Sequence, residues 1–396
     1  MNKELSFKSL QLKTILQILV AYGAKSRLIG GCVRDALLDV VTDDIDIATT
    51  LLPDEVMRAL GEQNIRVLPT GIKYGTVTAI AQGEKFEITT LRKDISCDGR
   101  RASVEYTGDF FQDALRRDFT INALSYCPTE QKVFDYFGGL EHLRQRRVIF
   151  IQDPAQRIGE DYLRILRFFR FSACYADDFD EKGLQACQDN AYLLSNLAQE
   201  RINMELDKIL LKSQDLIKVL RVMDSCVLKF IFPSCAQAIS KLQHALQLGS
   251  QISISISLET IYAILLSSNE SVDLSRFKFS NLRKRQIGQM LSFISSCAGD
   301  IEACLKKIWI AGQKVSQFVL LAVVFFSLSK DRAGKLLRFF NDTALPLFPL
   351  SGDELVNLGY TGKDIGSMLN YLHDIWILRD FKITSRELIE CSKRKN

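Results

Sequence analysis

The apolar positions change period along the chain. Over roughly the first 140 residues they alternate in short runs broken by glycine, and from about 153 onward they recur every three or four residues. "SRLIGG" predicts a short strand ending in a glycine turn, "CVRDALLDV" a helix start and "DIDIAT" an alternating strand. "VMRALGEQ" fits a helix. "RVLPT", "TVTAIAQ" and "FEITTLR" predict three more strands, joined by the turns "GIKYG" and "GEK". "DFTINALSY" predicts a helix after a loop, and "KVFDYFGGLEHLRQRRVIF" a small strand, a Gly-Gly turn and a basic stretch. Later segments such as "EDYLRILRFFRFSACYA" and "AYLLSNLAQERINMELDKILL" keep helical spacing, and only seven prolines occur in 396 residues, so long helices are permitted. The pattern predicts an α+β protein with a small mixed α/β head at the N-terminus and an all-α remainder. A chain of this length exceeds one ordinary core. The expected division is 1–145 for the head, 146–210 for a helical neck, 211–300 for a body and 301–396 for a tail.

Composition narrows the chemistry more than the fold. The chain is 47% hydrophobic and 25% charged, as a folded globular protein is. No apolar run reaches the roughly 18 residues needed to span a bilayer, so no membrane partner is expected. The opening segment mixes Lys, Glu and Gln into its apolar residues, which predicts an amphipathic helix and a cytoplasmic protein. The ten cysteines form no CxxC pair, which argues against a zinc site or a disulfide framework. With only three histidines, chemistry built on a histidine base or metal cluster is disfavoured; His373-Asp374 reads as a helical surface pair. A net charge of +4 is compatible with a polyanionic partner without establishing one.

"LIGGCVRDALLDVVTDDIDIAT", residues 28–49, concentrates the chemistry. On a strand, Asp44 and Asp46 point to one face while Ile45 and Ile47 point into the core. Carboxylates so placed repel unless one is protonated or a cation lies between them. Mg²⁺ ions held by carboxylate and phosphate oxygens resolve the conflict and can promote attack on a nucleotide phosphate. Glu87 on "KFEITTLR" is the candidate third acid. A bare DxD is more often the outer face of a half-exposed strand. Here Gly30 and Gly31 allow close backbone approach to a phosphate, and Arg34 adds positive charge for a triphosphate. In "LRRDFTINAL", Arg116 and Arg117 suit phosphates, while Asp118 and Asn122, four apart, suit ribose hydroxyls.

The block "GGCVRDALLDVVTDDIDIAT" resembles the signature of the tRNA nucleotidyltransferase and bacterial poly(A) polymerase family, of the polymerase β-like superfamily. "DGRRASVEYTGDFFQDALRRDFTINALSY", "DYFGGLEHL" and "DPAQRIGEDYLRILRFFRFSA" resemble its further motifs in the family's order, covering residues 28 to about 175. Asp39, where the family commonly has glycine, and Tyr162, where it often has proline, depart from the pattern. The resemblance implies a nucleotidyltransferase head and Mg²⁺ as cofactor. It implies CTP and ATP as substrates and tRNA rather than DNA as partner, with template-independent addition of CCA. A poly(A) polymerase, a CC-adding or A-adding enzyme and a silent RNA-binding protein stay open as alternatives, as does the oligomeric state.

The base choice has a physical reading. On one helix, Asp161 and Arg164 are three apart and share a face, which Arg167 and Arg170 continue. Cytosine and adenine both place an amino donor beside a ring-nitrogen acceptor, so a carboxylate and a guanidinium match both. Guanine and uracil mismatch both groups, at about 1–3 kcal/mol for each buried polar group left unpaired. An ordinary salt-bridged surface helix is the plainer alternative. The resemblance implies that Asp161 and Arg164 template the base, that Glu160 orients Arg164, and that Arg167 and Arg170 serve the triphosphate. It also implies that Asp98 and Arg100, on a mobile loop, help switch between bases.

Overall fold

A computed structural model describes residues 5, 7, 9–42, 44–97, 102–232, 235–268, 272–297 and 299–394. Two compact units divide the chain, residues 1–231 and 232–396.

The first unit opens with α1 (Leu10–Ala21), capped by the Ser9 hydroxyl on the Leu12 N–H. Strand β1 (Ser26–Ile29) then leads through the glycine pair into α2 (Gly31–Leu37), and β2 (Ile45–Thr49) follows. Helix α3 (Pro53–Gly61) precedes the meander β3 (Arg66–Gly71), β4 (Thr76–Ala81) and β5 (Glu84–Thr90). A ribbon of β6 (Arg92–Cys97) and β7 (Ala102–Tyr106) comes next, then α4 (Phe110–Leu115), β8 (Ser125–Cys127) and β9 (Lys132–Phe134). Among the described residues the main sheet has seven strands in the order β3-β4-β5-β2-β1-β8-β9. Strand β2 runs parallel to β5, and the other pairs are antiparallel. Ile47, Phe86 and Ile88 are fully buried from β2 and β5, so the intervening residues face the opposite side.

β9 is followed by α5 (Gly139–Arg144), α6 (Pro154–Glu160), α7 (Arg164–Tyr175), α8 (Glu181–Asp189), α9 (Gln199–Lys212) and α10 (Leu216–Cys226). Head and neck share one aromatic core. Phe119 lies 4.8 Å from Phe150 and 5.4 Å from Phe171, and Phe150 stacks on Phe168 at 5.4 Å. That cluster fixes where α7 sits against the sheet.

The structure corrects the sequence reading in three places. Residues 118–126 are not a helix. Phe119 is extended and bridges to Phe150, Thr120–Asn122 makes a single 3₁₀ turn, and β8 follows to pair with β1. The Asp118 carboxylate accepts from the Phe119 N–H at 2.8 Å, a local bond that competes with helix formation. Of the stretch "RKDISCDGRR", expected to be a mobile loop, Arg92–Cys97 is instead strand β6, paired with β7. The helix read through Glu160–Tyr175 breaks at Asp161, which is extended (φ −151°, ψ 107°) and whose side chain accepts from the Leu163 N–H at 3.1 Å. A short acid that bonds two residues ahead favours a helix start over a helix interior.

The second unit is helical throughout its described residues, from α11 (Ala236–Gln251), α12 (Leu258–Leu266), α13 (Asn281–Ser296) and α14 (Ile301–Ile310) to α15 (Val315–Phe326), α16 (Lys330–Asp342), α17 (Gly352–Asn357), α18 (Lys363–Leu378) and α19 (Ser385–Lys393). Leu355, Leu372, Trp376 and Leu388 centre the core of its C-terminal part. His373 packs against Phe348 and Trp376 in the same region. No helix among the described residues is long and apolar enough to cross a membrane.

The Gly138-Gly139 pair ties α5 to the turn that carries Asn122. A Cβ on Gly139 would lie 2.3 Å from the Thr120 carbonyl oxygen, a backbone collision, whereas one on Gly138 (φ +75°) meets nothing closer than 3.7 Å. Gly139→Ala is expected to destabilise the protein by about 2–4 kcal/mol. Gly138→Ala should cost only the left-handed backbone strain of about 1–2 kcal/mol. Thermal unfolding of the two variants checks the order.

Candidate active site

Asp46 and Glu87 are register partners on the parallel strands β2 and β5. Asp44 precedes β2 rather than lying within it, yet all three carboxylates line one cleft of about 1590 Å³. Thr70 and Thr78 line it too, with Arg167 and Lys208 supplying positive charge. Burial, and then the Glu87 charge, push the Asp46 carboxyl up to about 6; Asp44 adds to the rise and Arg117 opposes it. A half-buried carboxylate held against its own kind is a site that gains from a cation.

Among the described residues, no three carboxylate, thiol or imidazole groups converge as a closed metal cage. Asp44 and Asp46 fit an open site instead, in which a hard divalent ion takes one or two carboxylates and completes its shell with water and substrate phosphate oxygens.

A lattice of arginines and carboxylates lies beside this cleft. Asp113 on α4 takes Arg116 at 2.8 Å and Arg117 at 3.1 Å. Burial opposes the Asp113 charge, but the two guanidiniums outweigh it and hold its carboxyl below the usual range. Arg117 also donates to the Asn122 carbonyl at 3.2 Å and covers Gly30, where a Cβ would come within 2.9 Å of its Nη1. With φ +72° as well, Gly30 is a position that glycine alone fits. Its bare face is turned to the Arg117 guanidinium, and Gly31 starts α2. Arg34 is buried. It grips Asp35 at 2.8 Å, donates to the Asn122 side-chain oxygen at 2.6 Å and lies 4.0 Å over the Tyr175 ring.

Asn122 donates to Asp118 at 3.0 Å, so the expected spacing of four brings these side chains together without a full helix. Asp118 is ion-paired with Arg167 at 2.5 Å. Burial would raise its pKa, but Arg167 and hydrogen bonds from Asn122 and the Phe119 N–H hold it at about 2. Arg170 pairs with Glu205 at 2.8 Å, and Arg167 lies 4.0 Å from the same carboxylate. The two arginines expected to serve a triphosphate thus have internal partners here, while Arg167 still lines the cleft.

Glu160 accepts from Arg164 at 2.7 Å, four residues on, and from Arg157 at 2.5 Å. Arg157 donates to the Arg117 carbonyl at 2.6 Å and Arg164 to the Arg116 carbonyl at 3.0 Å. Two neck arginines therefore pin the backbone of the Arg116-Arg117 pair. Asp161 does not pair with Arg164 in this arrangement. It takes Arg201 of α9, at 3.0 and 3.1 Å. Asp98 and Arg100 lie outside the described residues. Sequence reasoning missed Asp113, Arg157, Arg201 and Glu205. The first two stand three or four residues from partners already singled out, and Arg201 and Glu205 stand four apart on one helix face; those spacings were the available signal.

Carboxylates that repel one another in a cleft that also carries Lys85, Arg167 and Lys208 suit a substrate that brings phosphate and metal together, and the class of protein so defined is a nucleotidyltransferase. Comparisons with known proteins agree. The family described as "Poly A polymerase head domain" matches residues 26–149, and "Probable RNA and SrmB- binding site of polymerase A" matches 178–244. The human CCA tRNA nucleotidyltransferase 1, mitochondrial, is 32% identical over 97% of this chain and 90% of its own length. The Streptococcus gordonii CCA-adding enzyme is 36% identical over 66% of this chain and 65% of its own. A crystal structure of the Bacillus stearothermophilus CCA-adding enzyme in complex with CTP matches with a TM-score of 0.78 and 25% identity, over 96% of this chain and 97% of that one. The chain belongs to the tRNA nucleotidyltransferase and poly(A) polymerase family, whose enzymes depend on divalent metal.

The raised Asp46 pKa has a consequence for stability. The folded protein holds this proton more tightly than the unfolded chain, so the group lowers stability as pH rises from about 4 through about 6 and keeps it lowered above. Asp46→Asn is expected to stabilise the metal-free protein by about 1–3 kcal/mol near neutral pH, with a smaller gain at about pH 5, while abolishing nucleotidyl transfer. Thermal unfolding at both pH values reads the gain; a variant less stable than the parent near neutral pH contradicts the assignment.

Proposed function

We propose that this protein adds C, C and A to the 3′ end of tRNA, using CTP and ATP without a nucleic-acid template, with Mg²⁺ as its metal. The observation that carries the reading is the likeness, across 97% of the chain, to an enzyme named for this reaction, combined with Asp44, Asp46 and Glu87 all lining one cleft. Poly(A) addition, or CC-only or A-only addition by the same head, is the nearest rival. The relatives' names favour the full reaction. Three carboxylates kept together against their mutual repulsion disfavour a silent RNA-binding protein. The human relative's name places that protein in mitochondria, so a cytoplasmic location for this chain is a proposal as well.

In this reading the tRNA 3′-hydroxyl attacks the α-phosphate of the nucleotide and pyrophosphate leaves, with no side-chain nucleophile. Asp44 and Asp46 hold the metal and Glu87 adds negative charge beside them. A bound divalent ion would favour ionisation of the attacking hydroxyl and offset charge on the departing pyrophosphate. Arg116 and Arg117, with their backbone pinned from the neck, present positive charge to the phosphates, and Arg34 keeps Asn122 in place from behind. Asp118 and Asn122 meet the ribose. Asp161 and Arg164 read the base edge, Asp161 with the acceptor capacity that Arg201 leaves on its Oδ2. Arg167 and Arg170 contribute to triphosphate binding from the same helix. The helical second unit holds the tRNA by shape and backbone contacts.

Labelling assays with three purified tRNAs test this, one lacking the terminal CCA, one ending after CC and one complete. With CTP and ATP together the first should gain two C's and one A and stop, the second a single A, and the third nothing. Long A tails would favour the polymerase, and Asp46→Ala at the parent rate would remove the metal assignment. Asp161→Ala should blur the choice of nucleotide more than it slows the chemistry.

A further inference from the structure

Helix α9 packs against α7, and its residues 201, 205 and 208 form one stripe at spacings of four and three. Each member touches the reading machinery or its support. Arg201 binds Asp161, Glu205 binds Arg170 and lies 4.0 Å from Arg167, and Lys208 lies 3.5 Å from Glu205 and lines the cleft. The contact at Asp161 differs from the others. Arg170 and Glu205 are enclosed, whereas Arg201 and Asp161 are each about one-third exposed, at 34% and 31%. This ion pair stands where a ligand can reach it.

The geometry of Asp161 is set from two sides. Its Oδ1 accepts from the Leu163 N–H at 3.1 Å and from Arg201 Nη2 at 3.1 Å, and its Oδ2 accepts from the same Nη2 at 3.0 Å. A carboxylate offers about four lone-pair sites. The two donors leave capacity on Oδ2 while fixing the plane of the group, which a side chain at an extended, non-helical residue would not otherwise hold. Arg164 cannot do this work, because Glu160 and the carbonyls of Arg157 and Arg116 occupy it.

We infer that Arg201 is a specificity-determining positioning residue: by gripping Asp161 from α9 it aims the carboxylate at the amino group of an incoming cytosine or adenine and makes any other base edge compete with an existing ion pair. The inference rests on the proposed role of Asp161 in base reading. Without Arg201 the carboxylate keeps only the Leu163 N–H bond and a carbonyl-bearing edge meets less resistance, so discrimination falls.

The test uses the full chain and tRNA ending after CC, with kcat and KM measured for ATP and for GTP and UTP. Arg201→Ala is expected to lower the ratio of kcat/KM for ATP over GTP by about tenfold or more, the scale of one lost buried polar match. Most of the change should lie in KM. Arg201→Lys, which keeps a cationic donor, should recover part of the ratio. Added to Asp161→Ala, Arg201→Ala should lower it no further. An unchanged ratio in Arg201→Ala, alongside a fallen one in Asp161→Ala, overturns the role of Arg201 and leaves the base-reading proposal standing. An unchanged ratio in both variants overturns that proposal itself. An equal loss for all nucleotides, with a lower unfolding temperature and no recovery by lysine, marks Arg201 as structural only and also contradicts the inference.

Discussion

The parallel pairing of β2 with β5 places Asp46 directly beside Glu87, with Asp44 close by, and much of the molecule is arranged around that unfavourable contact. Ile47, Phe86 and Ile88, fully buried on the opposite face, leave the acids no alternative side. A one-residue slip of register would bury the charges and expose the core, so the hydrophobic pattern itself enforces the repulsion. The strain appears in the Asp46 carboxyl, pushed up to about 6. Such a cluster is stable enough to exist and poor enough electrostatically to welcome a cation.

The positive half of the site meets the opposite problem, with many guanidiniums close together. Asp113, Asp118, Glu160 and Glu205 divide Arg116, Arg117, Arg157, Arg164, Arg167 and Arg170 among them. Buried ion pairs of this kind add little net stability compared with apolar packing, but loss of one partner costs about 3–5 kcal/mol. Their value here is positional. Arg157 of α6 and Arg164 of α7 bond the backbone of Arg117 and Arg116, so two later helices set the aim of residues beside the sheet. Side chains that come from both parts are thereby kept in one frame.

Alternation made the head strands legible. β1 to β5 lie where the sequence pattern placed them; β1, β2, β4 and β5 each commit residues to the core, while β3 is an edge strand with none fully buried. The misreadings fall where local side-chain bonds override periodicity. Asp118 bonds the Phe119 N–H and Asp161 bonds the Leu163 N–H, and each breaks the helix that the surrounding run otherwise reads as. Both are residues to which the sequence assigned a binding role, as expected where function and local propensity disagree. Asn122 reached Asp118 anyway, since a 3₁₀ turn also brings residues four apart into contact. Long-range partners were illegible for a different reason. Nothing in one sequence says that Arg201 meets Asp161 forty positions away, or that Glu205 closes the chain of charges from another helix.

Calorimetric titration of the metal-free protein with magnesium or manganese, in buffers of different ionisation enthalpy, addresses the central claim most directly. If the metal displaces a proton that crowding keeps on Asp46, binding at about pH 6 should release a sizeable fraction of a proton. The release should fade by about pH 8 and disappear in Asp46→Asn together with the tight binding. Binding of equal strength in that variant, or no proton release at about pH 6, would contradict the account.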